Sequence, residues 1–246
     1  MTHDAALRLP QLLVSIQNVH EARLALAAGV PWIDLKNPSL GSLGRPDSDT
    51  SRAVVEELTS RATSQCRISV AIGELQSVDM TASRELMQLF PIAKVGLAGL
   101  GSLEAGDNSA LERLAELQQH SDGQGQIVLA IYADHERAAA PAPAKTLELA
   151  EQIGSRYVLI DTYLKDGRGL FHWATPSRII DLRNRAAAFG ADLVVAGSLT
   201  TLDWPRLAQL GPVIIGVRGA ACEQSGDRSS RLCPERLKQW LTWTKG

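Results

Sequence analysis

Six lysines stand against nineteen arginines in this 246-residue chain, so charge is carried mostly by arginine and each lysine asks for a reason. Three of them fall at or just beyond short aliphatic runs. Lys36 closes Trp32-Ile33-Asp34-Leu35-Lys36, Lys94 lies inside Ile92-Ala93-Lys94-Val95-Gly96, and Lys165 follows the run Tyr157 to Asp161 by four residues. A lysine, unlike an arginine, loses its proton when it is desolvated or placed beside another cation, and the free amine attacks a carbonyl to form a Schiff base. Lys36 and Lys94 facing each other would lower each other's pKa toward about 7 to 8. Asp34 and Asp161 supply carboxylates to hold ammonium groups or carry protons. Taken singly, each Lys–Asp neighbour reads as an ion pair. Asp34, Lys36, Lys94, Asp161 and Lys165 taken together read as a Schiff-base aldolase or lyase centre.

Such a centre needs elements that bring distant residues together. Short β-branched or aliphatic runs recur at Leu12 to Ile16, Trp32 to Lys36, Arg67 to Ile72, Ile92 to Leu97, Ile127 to Tyr132, Tyr157 to Asp161, Leu193 to Ala196 and Val213 to Val217. Stretches of helical spacing separate them: Asn18 to Ala28, Arg52 to Arg61, Ser109 to Gln119, Ala144 to Ile153, Pro176 to Ala188 and Leu202 to Leu210, with a less regular one over Leu75 to Leu89 and a last near Pro234 to Trp243. Asn18 as N-cap with Glu21 three residues on reads as a capping box, Gly29 as a stop, and Pro176 and Pro234 as first-turn prolines. Eight strand-helix units of this length predict a single (β/α)₈ TIM barrel over residues 1–246, with no linker to split it. A doubly wound sheet is the rival, but Ser15-Ile16-Gln17-Asn18 is no glycine fingerprint, and Gly96, Gly99 and Gly101 after the fourth strand read as an ordinary loop.

Barrel active sites lie at the C-terminal ends of the strands. Period-2 alternation puts Trp32, Asp34 and Lys36 on one face and Ile33 and Leu35 on the other, which aims the polar pair into the mouth. The last two strands end Ala196-Gly197-Ser198 and Gly216-Val217-Arg218-Gly219-Ala220. Barrels hold phosphate at these two loops, so Gly197, Ser198 and Gly219 read as an anion cradle and Arg218 as its charge. Tyr132 and Asp134 after the fifth strand are weaker candidates, read as packing and a helix cap.

Composition narrows the partners. A formal charge of −2 with no polybasic run argues against nucleic acid or an anionic membrane. No apolar run reaches membrane-spanning length, and Met1 to Pro10 lacks a signal-peptide core, so the expected address is cytoplasmic. Cys66, Cys222 and Cys233 form neither a disulfide framework nor a zinc ribbon and read as reduced packing residues. His3, His20, His120, His135 and His172 include no pair at helical metal-ligand spacing, so no metal is expected.

The motifs Leu12-Leu13-Val14-Ser15, Asp34-Leu35-Lys36-Asn37-Pro38 with Gly41-Ser42-Leu43-Gly44, Lys94-Val95-Gly96-Leu97, Tyr132-Ala133-Asp134, Asp161-Thr162 with Lys165-Asp166-Gly167, Ala196-Gly197-Ser198-Leu199 and Gly216-Val217-Arg218-Gly219-Ala220-Ala221-Cys222 run in order along most of the chain. Together they resemble the (5-formylfuran-3-yl)methyl phosphate synthases, which make the furan precursor of methanofuran. The DLKNPxxGSLG and GVRGAAC strings are the specific part. The resemblance implies a TIM-barrel lyase that condenses two molecules of glyceraldehyde 3-phosphate, eliminating one phosphate and water, without metal or organic cofactor. It matches Lys36 to the Schiff-base lysine and Lys94 to the proton-transfer lysine, with Asp34, Asp161 and Lys165 beside them. Ser39-Leu40 in place of Pro-Glu, and Arg168-Gly169 where a lysine-containing turn is expected, depart from the pattern. A sugar-phosphate isomerase and a non-catalytic sugar-phosphate binder remain as alternative readings, and a homo-oligomer is left open.

Overall fold

The computed structural model describes residues 10–61, 66–103, 108–119 and 126–245; His3, most of the Met1 to Pro10 stretch and His120 lie outside them. Eight parallel strands close on themselves in sequence order: β1 (Gln11–Ile16), β2 (Trp32–Leu35), β3 (Arg67–Glu74), β4 (Ile92–Gly96), β5 (Gln126–Tyr132), β6 (Tyr157–Asp161), β7 (Asp192–Val195) and β8 (Ile214–Val217). Around them lie α1 (Val19–Ala27), α2 (Ser48–Arg61), α3 (Met80–Leu89), α4 (Ser109–Gln119), α5 (Pro143–Gln152), α6 (Leu170–Trp173), α7 (Pro176–Ala188), α8 (Trp204–Leu207) and α9 (Pro234–Lys245). This is the (β/α)₈ barrel the alternation of runs predicts. No described helix is long and apolar enough to cross a membrane.

Alternation divides the apolar residues into two bodies. Ile33, Leu35, Val70, Ile72, Val95 and their counterparts pack outward against the helices. Leu13, Trp32, Ala71, Ile92, Val128, Leu159, Val194 and Ile214 fill the barrel itself. Registers Ser15↔Asp34 and Asp34↔Ser69 place three polar residues side by side on that inner surface. The three cysteines are free thiols.

Several segments differ from expectation: α2 starts four residues early, at Ser48, and Leu75 to Leu89 opens with a 3₁₀ turn so that α3 starts only at Met80. β3 runs two residues further, to Glu74, because a bulge between Ala71 and Gly73 re-aims the chain where Gly73 takes φ +99°. The segment Leu202 to Leu210 breaks into the four-residue α8 between two 3₁₀ turns and ends at Gly211, φ +74°. The short α6 has no counterpart in the predicted elements.

The capping box forms by half. Asn18 Oδ1 accepts from Glu21 N at 3.0 Å, but the Glu21 carboxylate turns away to accept from Gln17 N at 2.9 Å and from Arg218. Arg218 Nη1 and Nη2 meet the two oxygens of Glu21 at 2.6 and 3.0 Å, both residues buried. The same guanidinium donates to Ser15 O, Arg228 O and Ser230 O. One ion pair therefore ties α1 to the β8 loop across the seam where β1 meets β8.

Removing one partner of a buried, fully bonded pair strands the other's charge, which costs about 3–5 kcal/mol. Glu21→Gln is therefore expected to lower the stability measured by urea unfolding by that amount, and the melting temperature by about 6 to 20 °C. Replacing both residues by apolar ones of similar volume is expected to cost less than Glu21→Gln alone. A loss below about 1 kcal/mol for the single variant would show that the pair does not hold the seam.

Candidate active site

Asp34 sits at the floor of the mouth with no exposure. Its Oδ1 accepts from Ser69 Oγ at 2.7 Å and its Oδ2 from Ser15 Oγ at 3.0 Å, and Lys94 Nζ lies 2.5 Å from Oδ2. Trp32 Nε1 in turn donates to Ser69 Oγ at 2.9 Å, which fixes the hydroxyl's direction. Hydroxyls from β1 and β3 and an ammonium from β4 thus saturate one carboxylate on β2. A charge buried this deeply is tolerable only when so paired.

Above this floor opens a cavity of about 210 Å³ at the C-terminal end of the barrel, walled by Lys36, Lys94, Asp161 and Lys165. The five residues that the sequence singles out are brought together, although they come from β2, β4, β6 and the β6 loop. Asp161 Oδ1 takes Lys165 Nζ at 2.6 Å and Thr162 N at 2.7 Å, while Oδ2 takes Ser42 Oγ at 2.9 Å. Burial would raise the Asp161 pKa, but the ammonium groups of Lys165 and Lys36 and the hydroxyl of Ser42 outweigh it and hold the carboxyl below its ordinary value.

Lys36 has no carboxylate of its own. Its Nζ donates to Ser42 O at 3.3 Å, and the side chain is 8% exposed. Desolvation is the largest cause acting on it; Asp161 opposes, and Lys94, Lys165 and Arg228 add to the lowering, so its pKa falls from 10.5 to about 7. Burial, more than the facing Lys94, accounts for the effect that the sequence attributes to the lysine pair.

The β7 and β8 loops complete the wall with Gly197, Ser198 and Gly219. Gly197 takes φ +115°, and a Cβ there would press on Leu170 Cβ and Thr162 N at 3.1 and 3.2 Å. Ser198 follows at φ +48°, a left-handed conformation uncommon outside glycine and typical of functional turns. Arg218 is a correction to the expected phosphate charge: all five of its guanidinium N–H groups are accounted for by Glu21, Ser15 O, Arg228 O and Ser230 O. The residue borders the cavity, yet its charge is spent behind the wall.

Two features escape sequence reasoning. Glu74, at the end of the extended β3, accepts from Tyr132 Oη at 2.5 Å and Ala98 N at 2.9 Å, and burial raises its pKa. A Cβ at Gly96 would collide with both Glu74 and Tyr132, so this glycine makes room for the pair. Arg228 in the β8 loop lines the cavity and donates from Nη2 to Gly41 O at 2.8 Å. Asp134 caps no helix; it accepts from Tyr163 N at 2.6 Å and Leu164 N at 3.1 Å and so pins the β6 loop. Among the described residues no three His, Cys, Asp or Glu side chains cluster as a metal-ligating group.

Known proteins match this arrangement at two levels. Solved barrels share the fold alone: 3-hexulose-6-phosphate synthase from Salmonella typhimurium aligns with a TM-score of 0.60 at 14% identity, covering 94% of this chain and 98% of that one. Phosphoribosyl anthranilate isomerase from Thermus thermophilus gives 0.59 at 16%, covering 95% and 97%. Similarity in sequence is closer to the (5-formylfuran-3-yl)methyl phosphate synthases of Methanopyrus kandleri, 32% identical over 89% of this chain and 92% of that protein, and of Methanocaldococcus jannaschii, 29% over 93% and 97%. The family model described as 4-HFC-P synthase matches residues 12–241, which takes in every strand of the barrel from Leu12 onward and the whole cavity wall, and the chain belongs to that family.

Proposed function

We propose that the chain is a (5-formylfuran-3-yl)methyl phosphate synthase, condensing two molecules of glyceraldehyde 3-phosphate through a Schiff base on Lys36. The observation that carries this reading is the state of Lys36: an amine buried at the cavity wall, its pKa near 7, with no carboxylate reserved to it. Half of such amines are unprotonated at neutral pH and ready to attack a carbonyl.

One triose phosphate, isomerised to its ketone by a 1,2 proton shift, condenses with Lys36 with release of water and becomes an iminium, which acidifies the adjacent C–H. Loss of that proton gives an enamine, whose carbon attacks the aldehyde of the second triose. Elimination of one phosphate, ring closure and loss of water from the six-carbon chain lead to the phosphorylated furan aldehyde, and hydrolysis of the imine frees Lys36. Lys94 and an aspartate are the groups proposed to move protons, Lys94 being held on Asp34 and Lys165 on Asp161, each positioned transfer being worth about 10² to 10⁴-fold. Gly197, Ser198 and Gly219 are the proposed phosphate cradle. No organic cofactor enters these steps. The reading carries with it one catalytic domain over residues 1–246 in the cytoplasm, acting on small molecules.

Borohydride added with triose phosphate is expected to leave a reduced adduct on Lys36, located by peptide mass mapping; an adduct on another lysine would overturn the assignment. Lys36→Arg keeps the charge but not the nucleophile and is expected to lower furan formation by about 10⁴-fold or more. Furan aldehyde absorbance after incubation with glyceraldehyde 3-phosphate alone separates a synthase from an isomerase, whose product lacks that chromophore.

The pH dependence has a definite sign. Because the folded pKa is lowered, the reactive free amine appears as pH rises through about 7, so the initial trapping rate is expected to fall away below a midpoint near pH 7. A midpoint near the ordinary lysine value of 10.5 would contradict the buried environment. Between these two pH values the unfolded chain holds the extra proton, so the Lys36 contribution to stability improves as pH rises across that window.

A further inference from the structure

Five cations line the cavity, and four of them are accounted for. Lys94 is held by Asp34, Lys165 by Asp161 and Arg218 by Glu21, while Lys36 loses its charge near neutral pH. Arg228 remains. Its Nη2 donates to Gly41 O, and among the described residues its guanidinium has no second acceptor and no carboxylate within 4 Å. A permanently charged, half-buried guanidinium with free N–H groups in a cavity is a receptor for an anion.

We propose that Arg228 binds substrate phosphate, supplying at the cavity the guanidinium that Arg218 withholds; this rests on reading the site as a triose-phosphate condensing centre. Two placements support it. Arg228 and Lys36 hold consecutive carbonyls of one loop, Gly41 O and Ser42 O, so the guanidinium lies beside the amine that carries the substrate. A triose phosphate joined to Lys36 through its ketone carbon has phosphorus only three bonds from that carbon, so its phosphate must settle close by. The main chain that presents Arg228 is also fixed in advance. Arg228 O accepts from Arg218 Nε at 2.8 Å and from Gln17 Nε2 at 3.3 Å, and Gly226 packs against Gly219 with Gly226 N donating to Gly219 O at 3.0 Å. Little ordering is left for the binding step.

The test compares two ketones in borohydride trapping at Lys36, dihydroxyacetone phosphate and unphosphorylated dihydroxyacetone, in wild type, Arg228→Gln and Arg228→Lys. Loss of a charge-assisted bond predicts that Arg228→Gln raises the half-saturating concentration of the phosphorylated ketone about tenfold to a hundredfold more than that of dihydroxyacetone, any change in Lys36 itself being common to both. Arg228→Lys, which keeps the charge without the fork, is expected to fall between. An equal loss for both ketones would assign Arg228 only the structural tether to Gly41 and overturn the proposal, as would no loss for either. Calorimetry with inorganic phosphate gives an independent readout: wild type should bind it and Arg228→Gln should bind it at least about tenfold more weakly. Trapping of neither ketone by wild type would sink the condensing reading, and the phosphate measurement alone would then decide for or against Arg228.

Discussion

Water is kept from one amine, and much of the architecture serves that exclusion. The gap between an ordinary lysine at 10.5 and Lys36 at about 7 corresponds to about 5 kcal/mol against the charged form. A closed barrel supplies this by burying the residue just beyond β2 at the cavity wall, with its Nζ held by the Ser42 carbonyl of the Gly41 to Gly44 loop. Opposite charge would undo the effect, and Asp161 partly does. The site limits that attraction by engaging its carboxylates elsewhere: Asp34 with Lys94, Asp161 with Lys165, Glu21 with Arg218.

The conspicuous DLKNPxxGSLG string has a physical reading in these terms. Asn37 Oδ1 accepts from Ser39 N and so starts a 3₁₀ turn, while Asn37 N donates to Gly44 O at 2.8 Å and closes the loop on itself. Gly41 at φ +107° turns the chain back, and a side chain at Gly44 would strike the Asn37 carbonyl. The loop is thereby folded so that Ser42 delivers its carbonyl to Lys36 and its hydroxyl to Asp161. The two departures from the family pattern sit outside this delivery. Ser39 bonds back to Asn37, and Leu40 is exposed. Arg168 pairs with Asp166 and lies over the Trp173 ring, with Arg137 on the same carboxylate and the same ring, which braces the loop carrying Lys165.

How much of this was legible depended on whether the deciding interaction was local. Strand alternation is a period of two residues, so the inward turn of Trp32 and Asp34 and the outward turn of Ile33 and Leu35 were readable from five residues. The convergence of Lys36, Lys94 and Asp161 followed from counting strands. The direction of Arg218 was not readable, because it is set by Glu21, 197 positions earlier in the chain. Glu74 was hidden by a bulge: the alternation stops at Ile72, and only the turn at Gly73 lets the strand continue. Arg228 lies in an irregular stretch of Gly, Ser and Asp whose composition says loop and nothing about where the loop leads.

The two lysine-aspartate pairs look alike in sequence but are mechanically different. Asp34 and Lys94 reach each other across β3 from inward positions on β2 and β4, with two serine hydroxyls on the carboxylate and almost no exposure on either side chain. Both side chains are carried by strands of the closed barrel. Asp161 ends a strand, but Lys165 stands four residues on, its side chain 17% exposed in a loop held by Asp134, Asp166 and the Trp173 stack. That loop reaches the proposed phosphate cradle as well, since Leu170 N donates to Gly197 O at 2.8 Å and Gly169 packs against Ser198 O. The Lys165 loop is therefore bonded to the β7 loop, whereas Lys94 is carried by β4 in the barrel wall. On the proposed condensation this division would suit several proton transfers at different atoms, one lysine being carried by the wall and the other by a loop.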